Sequence, residues 1–228
     1  MADPVFLITG ASSGIGAATA RAAAQAGFRV VLAARSTARL QALAEELGGS
    51  ERALALTCDV TEWSDQEAMI ARTLERFGSL DAAFANAGFG GGRSFLEGTP
   101  ERMRDMVLTN VLGVGYTVRA ALPALTASRG HLLLTGSVAG HRVLPGSMYS
   151  VTKWAVGAMA EAARQELGGT GVRVTLISPG QVDTPFFDEP APDRLEPADI
   201  ARAVIYAVSQ PPHVDVNEIL VRPTAQQG

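Results

Sequence analysis

The 228-residue sequence lacks what metal centres, disulfide cross-links and membrane anchors require. Its three histidines and single cysteine show no ligand spacing, so we expect no metal site and no intrachain disulfide. No apolar run approaches the roughly 18 residues of a membrane-spanning helix, and no basic region or signal peptide precedes the first apolar segment. With a lone thiol typical of a reducing compartment, these absences predict a cytoplasmic protein without membrane association.

Charged side chains are scarce too, at 18% of the residues, and the formal net charge is −4. Because no basic run is present, we expect no nucleic acid partner. Hydrophobic residues make up 47% of the chain, which is enough for a sizeable core. The thiol of Cys58 could be a nucleophile, but it follows the strand-like run 53–56, which favours a buried structural role.

What the sequence does contain is a regular alternation of short apolar runs and helical patterns. The apolar runs predict strands at residues 5–8, 30–33, 53–57, 81–85, 131–134, 172–177 and 218–221. Helices are predicted at 15–26, 36–47, 64–77, 100–127, 149–167 and 197–208. Strands that are continuously apolar are buried on both faces. We therefore expect an α/β fold, a Rossmann-like doubly wound parallel β-sheet flanked by helices on both faces, in a single domain over residues 1–228.

A glycine-rich turn stands where the first strand passes into the first helix. Its spacing is Gly-x-x-x-Gly-x-Gly. Glycine permits a tight turn and lets backbone N–H groups approach a pyrophosphate, which a helix N-terminus attracts. An ordinary tight turn is the alternative, but this position in a βαβ pattern favours a dinucleotide site. The candidate binding residues are Gly10, Ser12, Ser13, Gly14, Ile15 and Gly16.

Tyr149 and Lys153 form the most informative pair in the chain, and Ser137 precedes the tyrosine by twelve residues. The i, i+4 spacing places the pair on one helical face. A free tyrosine has a pKa of about 10, and a nearby ammonium lowers it by favouring the phenolate. Such a tyrosine can exchange a proton with a carbonyl or alcohol oxygen, while Ser137 positions that oxygen. Taken singly, Tyr149 could equally be a packing aromatic, Lys153 a solvated charge and Ser137 a helix or turn cap.

Several short motifs in this order and at these spacings resemble the short-chain dehydrogenase/reductase family, over residues 5–223. They are Thr9-Gly10-x-x-x-Gly14-x-Gly16, Asp59-Val60, Asn86-Ala87-Gly88, Ser137, Tyr149-x-x-x-Lys153 and Pro179-Gly180. Most are weak individually, but their joint occurrence is specific. One departure is Ala85, which stands where the family often has the first of two asparagines.

The resemblance implies further roles for individual residues. Asn86 would have a structural role beside the adenosine ribose, and Asp59 would meet the adenine amino group. Asn110, in the middle of the long helix, would be the fourth catalytic residue and hold a water that relays protons to Lys153. Lys153 would also hold the nicotinamide ribose. Further cofactor contacts are expected at Val60, Ala87, Gly88, Pro179, Gly180, Val182 and Thr184.

The end of the second strand predicts NADP(H) rather than NAD(H) as the cofactor. An acidic residue there would bind the ribose 2′-hydroxyl and repel a 2′-phosphate. The position is Ala34, followed by Arg35 and Ser36, and a guanidinium can pair with phosphate. Arg39 is a second candidate. The alternative is that Arg35 makes only a surface ion pair.

Three loops beyond the strand ends are expected to contact the substrate, at 89–96, 138–148 and 185–195. Their side chains predict a mainly apolar carbonyl or alcohol of modest size. The apolar side chains are Phe89, Phe95, Leu144, Met148, Phe186 and Phe187. The third loop, at about 185–196, resembles a short mobile lid. His141 is expected to have a loop or pocket-rim role rather than a catalytic one.

The sequence therefore predicts an NADP(H)-dependent oxidoreductase that interconverts a carbonyl and a secondary alcohol, acting on a CH–OH donor with Tyr149 as general acid/base. A non-catalytic NADP(H)-sensing or partner-binding protein is the alternative from another class. An epimerase or a carbon–carbon double-bond reductase of the same fold is a further one. The resemblance also implies a homotetramer or homodimer, built partly by pairing the helices at 100–127 and 149–167.

Overall fold

A parallel β-sheet forms the centre of the molecule in the computed structural model, which describes residues 3–91, 94–186 and 193–226. Its seven strands are all parallel and lie in the order β3-β2-β1-β4-β5-β6-β7. The strands are β1 (Val5–Thr9), β2 (Arg29–Ala34), β3 (Ala53–Thr57), β4 (Ala82–Ala85), β5 (His131–Thr135), β6 (Arg173–Pro179) and β7 (Glu218–Val221). The expected Rossmann-like doubly wound fold is confirmed.

Helices connect the strands and cover both faces of the sheet. They are α1 (Gly14–Gln25), α2 (Thr37–Glu46), α3 (Trp63–Phe77), α4 (Pro100–Val107), α5 (Val114–Ser128), α6 (Met148–Glu166) and α7 (Pro197–Val208). The helix expected at 100–127 is interrupted by a π-helical segment, Leu108–Gly113, between α4 and α5. Elsewhere the expected element bounds differ from the observed ones by at most two residues. Among the described residues, no helix has the length and apolar composition to span a membrane.

The core has two halves because side chains alternate across each strand. Val5 and Leu7 of β1 pack into the half covered by α3, α5 and α6. Phe6 and Ile8 of the same strand pack into the half covered by α1, α2 and α7. All four side chains are fully buried. This two-sided burial is why β1 has no polar residue before Thr9.

The strand order reverses direction between β1 and β4. From β1 the chain winds outward through β2 to β3, and it then returns to β4 on the other side of β1. The carboxyl ends of β1, β4, β5 and β6 therefore open onto one crevice, where parallel sheets of this kind bind ligands. The residues that carry the predicted site follow these strand ends.

His131 lies at the opposite end of the sheet and is buried as a neutral ring. Its Nε2 is 2.7 Å from the Thr175 hydroxyl, which itself donates to the Val216 carbonyl at 2.6 Å. Burial, helped by the charge of Arg173, lowers the pKa of His131 to about 3. In the unfolded chain the ring would titrate near its ordinary 6.5.

We expect this histidine to weaken the fold in acid. Between pH 6.5 and about 3 the His131 ring is protonated in the unfolded chain but neutral in the folded protein. The free energy of unfolding therefore falls as pH decreases through this window, by on the order of 5 kcal/mol at most. Urea unfolding at pH 7, 5.5 and 4 would measure it. In His131→Gln the pH slope should flatten, whereas exposed His213→Gln should keep it. Equal slopes in both variants would contradict the assignment.

Candidate active site

One large cavity opens at the carboxyl ends of the strands, with a volume of about 1350 Å³. Its size exceeds that of a typical pocket for one drug-sized ligand, about 300–1,000 Å³. Of the predicted site residues only Gly16 and Asn110 do not line it. Those that do are Gly10, Ser12, Ser13, Gly14, Ile15, Arg35, Ser36, Asp59, Val60, Asn86, Ala87, Gly88, Ser137, Tyr149, Lys153, Pro179, Gly180, Val182 and Thr184.

The glycine turn after β1 is packed so closely that side chains are excluded. A Cβ on Gly10, whose φ is +67°, would lie 2.9 Å from the Cα of Ala87. A Cβ on Gly16 would lie 2.3 Å from the Gly10 carbonyl oxygen. Helix α1 begins at Gly14, so its first N–H groups, which have no partner within the helix, lie at the cavity. This turn and helix N-terminus fit the pyrophosphate of a dinucleotide.

Asn86 connects three strand ends. Its Nδ2 donates to the Thr9 carbonyl at 3.0 Å, and its Oδ1 accepts from the Thr135 hydroxyl at 3.1 Å. The Thr9 hydroxyl also accepts from the backbone N–H groups of Asn86 and Ala87, at 3.0 and 3.1 Å. Asn86 thus holds β1, β4 and β5 in register under the cavity. This geometry agrees with the structural role expected for it, and Ala85 beside it is a buried core residue.

Cationic and hydroxyl side chains surround the end of the cavity beyond β2. Arg35, Ser36 and Arg39 line it there. The guanidinium of Arg35 is 80% exposed and 4.0 Å from the Asp59 carboxylate. That carboxylate also accepts from the backbone and side chain of Thr61, at 3.0 and 2.8 Å. Because the Arg35–Asp59 contact is loose and exposed, it leaves the guanidinium able to bind another anion.

Ser137, Tyr149 and Lys153 come together at the floor of the cavity near the end of β5. The Ser137 hydroxyl accepts from the Ala139 N–H at 3.1 Å and donates to the Pro179 carbonyl at 3.5 Å, and it lines the same cavity as the Tyr149 phenol. The Lys153 ammonium lies 5.6 Å from the centroid of the Tyr149 ring and donates to the Thr135 carbonyl at 2.6 Å. Only 4% of Lys153 is exposed. The expected convergence of the serine, the tyrosine and the lysine is therefore present.

The electrostatics of this group differ from the sequence-based expectation. Burial raises the pKa of Tyr149 to about 12, against which the Ser137 hydrogen bond acts in the lowering direction. Burial also lowers the pKa of Lys153 to about 8. The expected lowering of the tyrosine pKa is thus not found in the protein by itself, because desolvation of the phenolate outweighs the lowering effect of Ser137. At neutral pH the phenol is protonated.

Asn110 lies in the π-helical segment and is fully buried. Its side-chain Oδ1 accepts from the Phe89 N–H at 3.0 Å, and its Nδ2 donates to the Phe89 carbonyl at 2.9 Å and to Thr152 at 3.2 Å. The amide therefore fixes the loop after β4 and the helix that carries Tyr149. The role expected for Asn110 in a proton relay stays a prediction.

The segment after β6 closes one side of the cavity. Thr184 lies against α1, since a Cβ on Gly14 would meet its Cγ2 at 3.0 Å. The base of the expected lid is tied down by backbone hydrogen bonds, from Asp183 to the Leu195 carbonyl at 2.8 Å and from Leu195 to the Gln181 carbonyl at 3.0 Å. The tip of that lid, at 187–192 and including Phe187, lies outside the described residues, as does Gly92.

The substrate side of the cavity is less apolar than expected. Phe89, Leu144 and Phe186 line it. The Phe186 ring meets Tyr149 edge-on at 5.2 Å. Of the other expected contacts, Phe95 is 59% exposed, and neither it nor Met148 lines the cavity.

Two arginines that the sequence reading missed, Arg102 and Arg142, line the same cavity. No local pattern singles them out, because each reaches the site only through the tertiary fold.

Two residues weighed as alternative active groups, His141 and Cys58, lie in structural environments. The Nε2 of His141 lies 2.7 Å from the Glu218 carboxylate and 3.3 Å from the Ser178 hydroxyl; His141 is not among the residues that line the cavity, so of the loop or pocket-rim role expected for it, the loop role fits. Burial raises the pKa of the Cys58 thiol to about 12, so it is not a thiolate nucleophile. Within the described ranges no three His, Cys, Asp or Glu side chains cluster to hold a metal ion.

Known proteins resemble this chain along nearly its whole length. An uncharacterized oxidoreductase of Staphylococcus saprophyticus is 41% identical, with 97% of each chain covered. One from Staphylococcus aureus strain USA300 is 40% identical, with 98% of each chain covered. Both names give the reaction class and no substrate.

Solved structures share the fold closely. An alcohol dehydrogenase from the archaeon Thermococcus sibiricus, complexed with 5-hydroxy-NADP, superposes with a TM-score of 0.93 at 35% identity, covering 99% of this chain and 98% of that one. A serine dehydrogenase complexed with NADP+ superposes with a TM-score of 0.91 at 31% identity, covering 98% and 96%. The short chain dehydrogenase family matches residues 4–194. The chain is an oxidoreductase of the short-chain dehydrogenase/reductase family.

Proposed function

We propose that this protein is an NADP(H)-dependent oxidoreductase that interconverts a carbonyl group and a secondary alcohol. The observation that carries the proposal is the convergence of Ser137, Tyr149 and Lys153 on the cavity that begins at the Gly10–Gly16 turn. A bound nicotinamide cofactor supplies the hydride chemistry. The turn and the N-terminus of α1 would hold its pyrophosphate.

The protein's own residues handle the proton. Ser137 donates a hydrogen bond to the substrate oxygen and fixes its position. Tyr149, whose pKa is raised to about 12, carries its proton at neutral pH and can donate it to a carbonyl oxygen. The phenolate that results lies beside the Lys153 ammonium, which stabilises it. A protonated phenol is the form that donates to a carbonyl oxygen in the reducing direction.

Preference for NADP(H) rests on the residues after β2. Ala34 presents no carboxylate there, and Arg35, Ser36 and Arg39 surround the adjacent end of the cavity. The Thermococcus sibiricus and serine dehydrogenase structures hold NADP-type cofactors. A 3-ketoacyl-(acyl-carrier-protein) reductase from Brucella melitensis, 28% identical, is complexed with NADH. The two proteins that hold NADP-type cofactors are more similar to this chain than the reductase that holds NADH, and together with Arg35 they favour NADP(H).

The proposal is tested by mixing the full-length protein with NADPH or NADH and a panel of ketones, aldehydes and keto esters. Loss of absorbance at the reduced nicotinamide band, matched by the alcohol product in mass spectrometry, would support it. Tight NADPH binding without turnover of any compound would support the sensing or partner-binding alternative. Inversion at a carbon with no net cofactor consumption would support the epimerase.

Arg35→Gln is expected to raise the KM for NADPH by roughly tenfold, because a charge-assisted hydrogen bond to the 2′-phosphate is lost at an exposed site. The KM for NADH should change by less than about twofold, since NADH lacks that phosphate. Steady-state kinetics with both cofactors measure the effect. Arg72→Gln, an exposed arginine of α3 paired with Glu75, is the control. A parallel loss with both cofactors would contradict the assignment.

The assembly and location also stay predictions. In helix α6, one of the two helices expected to pair, Val156 and Ala160 belong to the core. Val151 and Trp154 of that helix are instead about half exposed, at 51% and 49%. They leave an apolar face for a homotetramer or homodimer, and light scattering would measure the assembly. A cytoplasmic location remains the expectation from the lone thiol.

A further inference from the structure

The cavity is positively charged although the chain is not. Among the described residues that line it, one carboxylate, Asp59, faces five cationic side chains, which are Arg35, Arg39, Arg102, Arg142 and Lys153. The whole chain carries a formal charge of −4. Arg35, Arg39 and Asp59 belong to the end beyond β2. The substrate end therefore has three cations and no acidic residue in the part of the chain that the structure describes.

Arg102 is held in place by the loop after β4. Its Nη2 donates to the Gly90 carbonyl at 2.7 Å, and its guanidinium lies 4.4 Å from the centroid of the Phe89 ring. The side-chain amide of Asn110 in turn holds Phe89 in place through hydrogen bonds with the backbone N–H and carbonyl of Phe89. The Gly90 carbonyl accepts from only one of the five N–H donors of the Arg102 guanidinium. A guanidinium that is already oriented loses less entropy when it binds a second partner.

This loop also contacts the neighbourhood of Tyr149. A Cβ on Gly90 would lie 2.1 Å from the Phe186 ring, so the ring packs directly on the Gly90 backbone. The same ring meets Tyr149 edge-on, with 5.2 Å between centroids. Arg102 is thus joined to the tyrosine through Gly90 and Phe186. Both side chains, those of Arg102 and Tyr149, line the same cavity.

Arg142 approaches from the other loop, which follows Ser137. Its backbone carbonyl accepts from the Ser150 hydroxyl at 3.0 Å, and this anchors the loop to the residue next to Tyr149. No acidic side chain of the described residues pairs with Arg142 or with Arg102. By contrast, Arg104, one turn from the site on α4, is paired with Asp105 at 2.8 Å. Two arginines that line one cavity, one from α4 and one from the loop after β5, and that have no acidic partner among the described residues are suited to an anionic ligand.

We propose that the substrate carries a carboxylate that Arg102 and Arg142 bind, so that the protein reduces oxo acids or oxidises hydroxy acids. The proposal rests on the oxidoreductase function proposed above and specifies its substrate class. A carboxylate matches the planar fork of a guanidinium, which neutral esters and ketones do not. The apolar contacts of Phe89, Leu144 and Phe186 then hold the carbon chain between the carboxylate and the carbonyl.

The test compares matched acids and esters. With NADPH present, kcat/KM is measured for 3-oxobutanoate, 4-oxopentanoate and 5-oxohexanoate and for the methyl ester of each, at constant ionic strength. The series varies the distance between carbonyl and carboxylate. We expect at least one acid to exceed its ester by about tenfold or more, because hydrogen bonds to charged groups are the stronger ones. The neutral keto esters serve as the reference for Tyr149 chemistry.

Substitutions of the two arginines then test whether they cause the preference for the acid over its ester. Arg102→Gln with Arg142→Gln should lower kcat/KM for the preferred acid by about 10- to 100-fold, mainly through KM, and change that of its ester by less than about threefold. Arg104→Gln, an exposed arginine of the same helix, is the matched control. A second readout is independent of turnover: with NADP+ bound, the preferred acid should raise the Tm of the wild type but not that of the double variant.

The outcomes separate the two proposals. Esters reduced as fast as the acids, or an equal loss for both in the double variant, would overturn the carboxylate site and leave the oxidoreductase function standing. Absence of turnover with every compound would count against the oxidoreductase function. In that case a Tm shift by an acid that depends on the two arginines would still support the carboxylate site, and its absence would overturn it.

Discussion

Replacing Tyr149 with phenylalanine is expected to lower kcat by about 10²–10⁴-fold, the range typical of a lost general acid. The phenol lines the cavity together with Ser137 and Lys153, and its pKa of about 12 keeps it protonated at neutral pH. The ring itself packs edge-on against Phe186, and phenylalanine retains that contact. The loss should therefore fall on the chemical step. The Kd for NADPH and the Tm should stay near those of the wild type.

Tyr206→Phe is the matched control, because Tyr206 lies on α7 and is 56% exposed. It should retain wild-type kcat. The pair separates loss of one particular hydroxyl from any general effect of the substitution. If Tyr149→Phe kept more than about a tenth of the wild-type kcat, Tyr149 would not be the acid, and another proton source would have to be sought.

The parts of this site that the sequence predicts are those with a local signature. Tyr149 and Lys153 are four residues apart on one helix, and each strand end is followed within a few residues by a candidate group. The continuous apolar runs predict the strands because burial on both faces leaves no room for polar residues. Most helix and strand bounds, the glycine turn and the cofactor side of the cavity lining could be inferred in this way.

The remaining features depend on contacts between distant segments. The π-helical segment at Asn110 forms where its amide hydrogen-bonds Phe89, 21 residues away. Arg102 joins the site by donating to Gly90, and its own helix gives no sign of it. The pKa of Tyr149 depends on desolvation by the surrounding fold, which no local spacing encodes. Such features become visible only once the fold has brought these segments together.

Gly16→Ala is also expected to have a large effect, on both the stability of the protein and its binding of NADPH. The new Cβ would lie 2.3 Å from the Gly10 carbonyl oxygen and 2.9 Å from the Asn86 Nδ2. Because Gly10 contributes backbone rather than a flexible side chain, the turn must shift, at about 1–3 kcal/mol of unfolding free energy for overpacking. A shifted turn also misplaces the N–H groups of α1, so the Kd for NADPH should rise by about tenfold or more.

Gly157→Ala, the same substitution in another helix, is expected to change the free energy of unfolding in the opposite direction. Gly157 lies inside α6, and its new Cβ would meet only Leu176 at 3.8 Å, an ordinary contact. Alanine should therefore stabilise the protein by about 0.5–1 kcal/mol through its better helix propensity. Urea unfolding and fluorescence titration with NADPH measure both variants. If Gly16→Ala matched Gly157→Ala in stability and in Kd, the turn would not be the close-packed cofactor cradle that its geometry indicates. The contrast isolates crowding at Gly16, because the two glycines lie in helices and receive the same methyl group.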